Sequence, residues 1–170
     1  ALEFEAKWPL AADVYQTILA HTHPFEHGED TVFAQLRLGL SYRSMNRLDE
    51  SAAAYAVAAD IGTVIGDFVG VLRARIGDAT IATLRGNLPQ ADAIFADTIL
   101  RANGPDLKEV RAFALNGRSS IAMLGGQYEL GIQLAYDAMS HTNSPVERDR
   151  ILSNIAYSFM QLGVYTAARD

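Results

Sequence analysis

Apolar residues along this chain recur at spacings of three and four, the pattern of helices with one buried face, and nowhere alternate as a half-buried strand requires. From Thr31 to Ala58 two such stretches meet across a short break at Ser44 to Arg47, which reads as one helical hairpin. The same pattern predicts a helix over about residues 3–20, then pairs at 30–44 and 48–60, 66–84 and 88–102, 107–124 and 128–140, with a last pair beginning at 145 and 164. The stretch Ile61 to Gly70 carries glycines that oppose a helix, yet Val64, Ile65, Phe68 and Val69 are spaced to join one. It reads as the early, buried part of the long helix that follows.

A period of forty residues organises these elements. Ala11, Ser51, Ala91 and Gly131 lie forty apart, and each follows by three positions a large apolar residue, Trp8, Leu48, Leu88 or Tyr128. Four residues after the small one come Tyr15, Tyr55, Phe95 and Ala135, and before the apolar one sits a turn former, Asn46, Gly86 or Gly126. A fifth copy begins with Gly163, Tyr165 and Ala168 after a gap of thirty-seven. A small residue early in a second helix lets the first helix approach closely, and the aromatic one turn later fills the space between neighbouring hairpins. No hairpin of this kind buries its apolar face alone, so stacking is expected. Capping signals agree: Ser144-Pro145-Val146-Glu147 has the form of a capping box, Asp106-Leu107-Lys108-Glu109 repeats its logic, and Asn46 and Asn87 are placed to cap second helices. Asn103-Gly104-Pro105 ends the helix before it.

Composition narrows the functional classes. Fourteen Lys and Arg against twenty Asp and Glu give a net charge of −6, and the arginines are scattered, so no concentrated basic face for nucleic acid is expected. Without cysteine there is no disulfide framework, thiol nucleophile or cysteine-based zinc site. No apolar run reaches the roughly twenty residues that span a bilayer, and the start lacks the form of a signal peptide, so the cytoplasm is the default compartment and no membrane contact is expected. The chain begins without Met and stops just after a helix restarts, which reads as a fragment of a longer protein.

The segment Leu38-Gly39-x-x-Tyr42 through Ser51, Tyr55 and Ala58 resembles the hairpin signature of the tetratricopeptide repeat. Leu124-Gly125-Gly126-Gln127-Tyr128 with its continuation to Ala138, and Asn154-Ile155-Ala156-Tyr157 through Leu162-Gly163-Val164-Tyr165 to Ala168, are similar to it as well. The likeness covers essentially the whole chain, with approximate units 1–24, 25–64, 65–104, 105–143 and 144–170 of one domain. It departs in having units of forty residues where the family has about thirty-four, and in carrying Arg75 and Asp78 at bulky apolar positions. The longer unit is similar to the helical repeats of large bacterial signal-responsive regulators. The resemblance implies an all-α, right-handed α-solenoid of stacked antiparallel hairpins that binds a protein or peptide on a concave face lined by the first helices. On this register the face carries Arg43, Arg73, Thr80, Phe113, Asn116, Ser120, Arg150 and Tyr157, along with Phe33, Leu36, Leu40 and Met123. Arg73, Asn116 and Arg150 are the preferred polar anchors, since such groups hold a peptide backbone or a carboxylate. Asn154 is a lesser candidate, able instead to hold the backbone of its own hairpin. The alternative is a self-association or spacer module, pairing copies through apolar ends near Trp8 and Tyr165.

Other constellations carry less. The run of His21, His23 and His27 lies in a loop where nothing fixes ligand geometry, so no metal or other cofactor is expected. Ser119 and Ser120 lack a histidine partner or a nucleophile turn, and no acid–base pair or phosphate loop is present, so no catalytic residue is assigned and no enzyme is expected. Gly66-x-x-x-Gly70 contains Asp67 and sits in too short an apolar span to pair helices in a membrane.

Overall fold

The forty-residue spacing reappears in where the helices begin and end. A computed structural model describes residues 6–22 and 27–164, and holds eight α-helices and no strand among them. These are α1 (Trp8–His21), α2 (Gly28–Ser44), α3 (Leu48–Ile65), α4 (Phe68–Leu84), α5 (Leu88–Arg101), α6 (Lys108–Leu124), α7 (Tyr128–His141) and α8 (Pro145–Gln161). A single turn of 3-10 helix, Pro105–Leu107, leads into α6. Thus α2, α4 and α6 start at 28, 68 and 108, while α1, α3, α5 and α7 start at 8, 48, 88 and 128. The last helix comes early, α8 following α6 by thirty-seven residues, the same gap as in the sequence. The expected helix start at residue 3, His23 of the histidine run, and Tyr165 and Ala168 of the fifth copy lie outside the described residues.

The turn that follows each of α2, α4, α6 and α8 is closed in one way. Asn46, Gly86, Gly126 and Gly163 all have left-handed backbone, with φ of 59°, 79°, 76° and 75°. The residue after each donates its N–H back into the preceding helix: Arg47 to Tyr42 O at 2.9 Å, Asn87 to Ala82 O at 2.8 Å, Gln127 to Ala122 O at 2.8 Å and Val164 to Phe159 O at 2.9 Å. Ala6, forty residues before Asn46, has φ 54° ahead of α1. This corrects the assignment of Asn46 as a cap: its backbone makes the turn, which asparagine tolerates better than most residues, and Arg47, at the N-cap position of α3, makes no side-chain cap. Asn87 does cap α5, accepting from Gln90 N at 3.3 Å.

Because nothing lies within 4 Å of a Cβ at Gly126, its φ alone opposes a side chain. Gly126→Ala is expected to lose about 1 kcal/mol, whereas Gly125→Ala, at φ −85°, is expected to be near neutral. Equal shifts of the two urea midpoints would contradict this account of the turn.

Ile61 to Gly70 does not form the start of one buried helix. Ile61 to Ile65 complete α3, Gly66 stops it at φ 78°, and Asp67 N closes onto Gly62 O at 2.8 Å. Asp67 Oδ1 then accepts from Gly70 N at 2.8 Å, capping α4. Val64, Ile65 and Phe68 are exposed. A left-handed glycine followed by a capping aspartate outweighs the apolar spacing that suggested continuity.

The helices pack in sequence order within two compact units, Ala1–Ile81 and Ala82–Asp170. In the first, α2 and α3 form a hairpin in which Leu38 and Tyr42 meet Ala54, with Ala12 of α1 joining them. Val32, Tyr55, Ala58, Ala74 and Ile81 form a further core cluster in this unit. In the second, Leu115, Ala135, Ala138, Ile151 and Ile155 join α6, α7 and α8. Buried Ser51 Oγ donates to Gly39 O across the α2/α3 hairpin at 2.7 Å, and buried Ser119 Oγ donates to Gly131 O across α6/α7 at 2.7 Å. Two periods apart, serine and glycine have exchanged sides of the same contact. Each hairpin thereby keeps one hydroxyl bond, worth about 1 kcal/mol, and one close helix approach.

Candidate ligand-binding face

The residues expected to line a binding face divide between the two units. In the first, Arg43 on α2 and Thr80 on α4 are half-buried and Arg73 on α4 is exposed. Thr80 Oγ1 donates to Ile76 O of its own helix at 2.8 Å, which leaves it one less donor for a ligand. Nearby, burial holds the Arg37 guanidinium below its ordinary pKa, and the charge of Arg73 adds to the effect. Burial also raises the carboxyl of Asp78, opposed by the charge of Arg75. These are the charged residues that broke the apolar pattern of the repeat, and both are half-buried.

In the second unit the structure brings Asn116 and Ser120 of α6 together with Arg150 of α8 through two residues of α8, Glu147 and Asn154. Asn154 Nδ2 donates to Asn116 Oδ1 at 2.7 Å and to Ser120 Oγ at 3.1 Å. Asn116 Nδ2 donates to Glu147 Oε1 at 2.8 Å. Glu147 is only 2% exposed; among the described residues its Oε2 accepts no hydrogen bond, and it faces Arg150 Nη1 at 3.5 Å, with Arg150 itself 62% exposed. Burial pushes the Glu147 carboxyl above its ordinary range, the Asn116 bond and Arg150 pull it down less, and the charge of Glu109 on α6 pushes it up further. Asn154 therefore holds side chains of the neighbouring hairpin rather than the backbone of its own.

The local sequence around Ser144 predicts a different task for Glu147. In a capping box its carboxylate returns to the N–H of Ser144. Here Ser144 Oγ accepts from Glu147 N at 3.4 Å, so half of the box forms, but Ser144 N donates to Thr142 Oγ1 at 3.1 Å and the carboxylate turns inward. Glu109 departs likewise: α6 has no side-chain cap, and the Glu109 carboxylate instead accepts from Thr142 Oγ1 at 2.6 Å and Asn143 N at 3.1 Å. One signal did point to Glu147. Moved back by the thirty-seven-residue gap it falls on Val110, a core residue 2% exposed, so a carboxylate stands on α8 where α6 buries valine.

Around this polar chain the surface is mixed. Tyr157, about half exposed, meets Tyr128 of α7 edge to face with ring centroids 6.5 Å apart, and Phe113 on α6 is half-buried. The arrangement offers a cation, a tyrosine face and amides already oriented by their neighbours. No described helix is long and apolar enough to cross a membrane. The chain matches no protein-family model, and no curated protein matches it.

Proposed function

We propose that the chain is a tetratricopeptide-like module, a right-handed solenoid of stacked hairpins in a larger regulatory or scaffold protein, that binds an extended polypeptide along its first helices. The observation that carries this reading is the chain Asn154, Asn116, Glu147, Arg150 on α6 and α8, the latter helix also exposing Tyr157. Polar side chains held in place lose little freedom when a peptide backbone docks, and arginine and tyrosine are among the residues enriched at binding hot spots. Arg43, Arg73 and Thr80 are the counterpart of this face on α2 and α4, where Arg73 supplies an exposed cation.

Selection from a phage library of random-sequence peptides tests the proposal. Enriched peptides are expected to lose about tenfold in affinity, near 1.4 kcal/mol, with either Arg150→Ala or Tyr157→Ala. Failure to enrich any peptide, or enriched peptides indifferent to both substitutions, overturns it.

A further inference from the structure

Three of the four arginines on α6 and α8 are engaged with the fold. Arg118 pairs with Asp92 at 2.7 Å, Arg111 Nη1 donates to Ile99 O at 2.9 Å, and Arg148 Nη1 turns to Met139 O and Thr142 O, each at 3.5 Å. Arg150 is the exposed exception, and among the described residues it meets Glu147 Oε2 alone, at 3.5 Å. Charge is divided within this unit as well. The helices α6 and α8 carry five Lys and Arg against three Asp and Glu, while α5 and α7 carry one against four. An anionic ligand is therefore drawn to the side of α6 and α8.

A peptide carboxylate that pairs with Arg150 brings a second negative charge to a cation already facing Glu147. One guanidinium does not neutralise two carboxylates, and Glu147, buried, has little water to take over. Uptake of a proton from solvent by Glu147 costs least: the acid keeps the Asn116 bond on Oε1 and no longer repels the ligand. Burial and the charge of Glu109 on α6 already favour the protonated form, and the Asn116 bond and Arg150 oppose it. A ligand that draws Arg150 away removes one of those two opposing groups. The remaining titratable neighbours are tied elsewhere, Glu109 to Thr142 Oγ1 and Asn143 N, and His141 of α7 to Asp137 at 3.3 Å.

We infer that Glu147 is a built-in competitor for Arg150, so that an acidic peptide binds this face with uptake of a proton and binds more tightly as pH falls. The inference rests on the peptide-binding reading and names the class of its ligand and the way its binding is regulated. Linkage fixes the sign: a complex that holds more protons than its free parts gains affinity on acidification.

Two selections from the random-peptide library, at about pH 7.5 and about pH 5.5, bracket the range in which a raised carboxyl exchanges its proton. Peptides bearing Asp or Glu are expected to be enriched, more strongly in the acidic selection. Calorimetric titration of one such peptide, in buffers of different ionisation enthalpy, then counts the protons taken up. The unmodified chain is expected to take up a proton on binding at the higher pH and to bind about tenfold more tightly at the lower one. Glu147→Gln is expected to bind tightly at both, and subtracting its curve removes whatever His141 and the peptide's own carboxyls contribute. Arg150→Gln, at an exposed site, is expected to lose most of the affinity at either pH. Peptides that need Arg150 yet show the same pH dependence with the unmodified chain and Glu147→Gln overturn this inference and leave the binding reading standing. A pool enriched without acidic residues does the same. No enrichment at either pH overturns the binding reading, and this inference with it.

Discussion

Gly77→Ala is expected to destabilise the protein by about 3 kcal/mol, as inserting a methyl group into a closed core does at its upper range. The ring of Tyr55, 4% exposed, lies between α2 and α4. A Cβ at Gly77 would sit 2.5 Å from Tyr55 Cε2, and a Cβ at Gly39, on the other side of the ring, would sit 2.7 Å from Cε1. The ring has no direction in which to yield, so α4 must move away from α3 and open the surrounding core. Shrinking the ring supplies the missing space, so Gly77→Ala is expected to cost much less in a Tyr55→Leu background. The coupling between the two sites is read from urea denaturation of both single variants and the double variant. A Gly77→Ala loss under about 0.5 kcal/mol, the scale of a surface change, would mean that the ring is not confined.

This ring-and-glycine contact is itself a repeated element. Phe95 and Gly117 reproduce it forty residues on, where a Cβ on Gly117 would overlap the Phe95 ring. At the equivalent place on α8 the glycine has become Asn154 and the preceding ring has become Ala135, buried at 0%. A small residue replaces the ring on α7 where a larger one replaces the glycine on α8. The added polar group is the one that reaches Asn116 and Ser120. The polar network of α6 and α8 thus occupies a place where the earlier repeats keep an aromatic contact.

Sequence periodicity located the helices well because the turn residues, the small residues and the aromatics all keep one register. Boundaries at 44, 48, 84, 88, 124, 128 and 145 agree with those read from the chain. It failed where two local signals compete. At Ile61 to Gly70 apolar spacing favoured continuity, while Gly66 and Asp67 decide the break through backbone conformation and a cap. At Glu147 the local capping motif hid a tertiary role, since the direction of a carboxylate depends on a partner thirty-one residues away, Asn116. Of the expected binding residues, Asn116, Ser120 and Arg150 meet in one cluster, and the residue that joins Asn116 to Arg150 was not among them.

Asn116→Leu is expected to cost about 3 kcal/mol at pH 7, because it strips a buried carboxylate of the hydrogen bond that Asn116 donates from a neighbouring helix and leaves Arg150 at 3.5 Å as partner. Glu147→Gln is expected to act in the opposite direction, gaining about 1 kcal/mol at pH 7 by replacing a buried charge with a neutral group that still accepts from Asn116. The pH dependence separates charge from shape. The folded-state pKa of Glu147 lies above its ordinary value of 4.5, so between these two values the native state holds the proton more often than the unfolded chain. Stability from this group is therefore full below 4.5 and lost as pH rises through the folded-state value. Asp78, raised by burial in the first unit, contributes with the same sign, so the informative quantity is the difference between variant and parent. That difference is expected to shrink on acidification for both variants: the gain of Glu147→Gln fades as the parent carboxyl takes up its proton, and the loss of Asn116→Leu fades as the orphaned carboxyl does the same. A loss for Asn116→Leu that is constant from neutral pH down to 4.5 would assign its whole effect to packing, and the network would then hold α6 to α8 by shape alone.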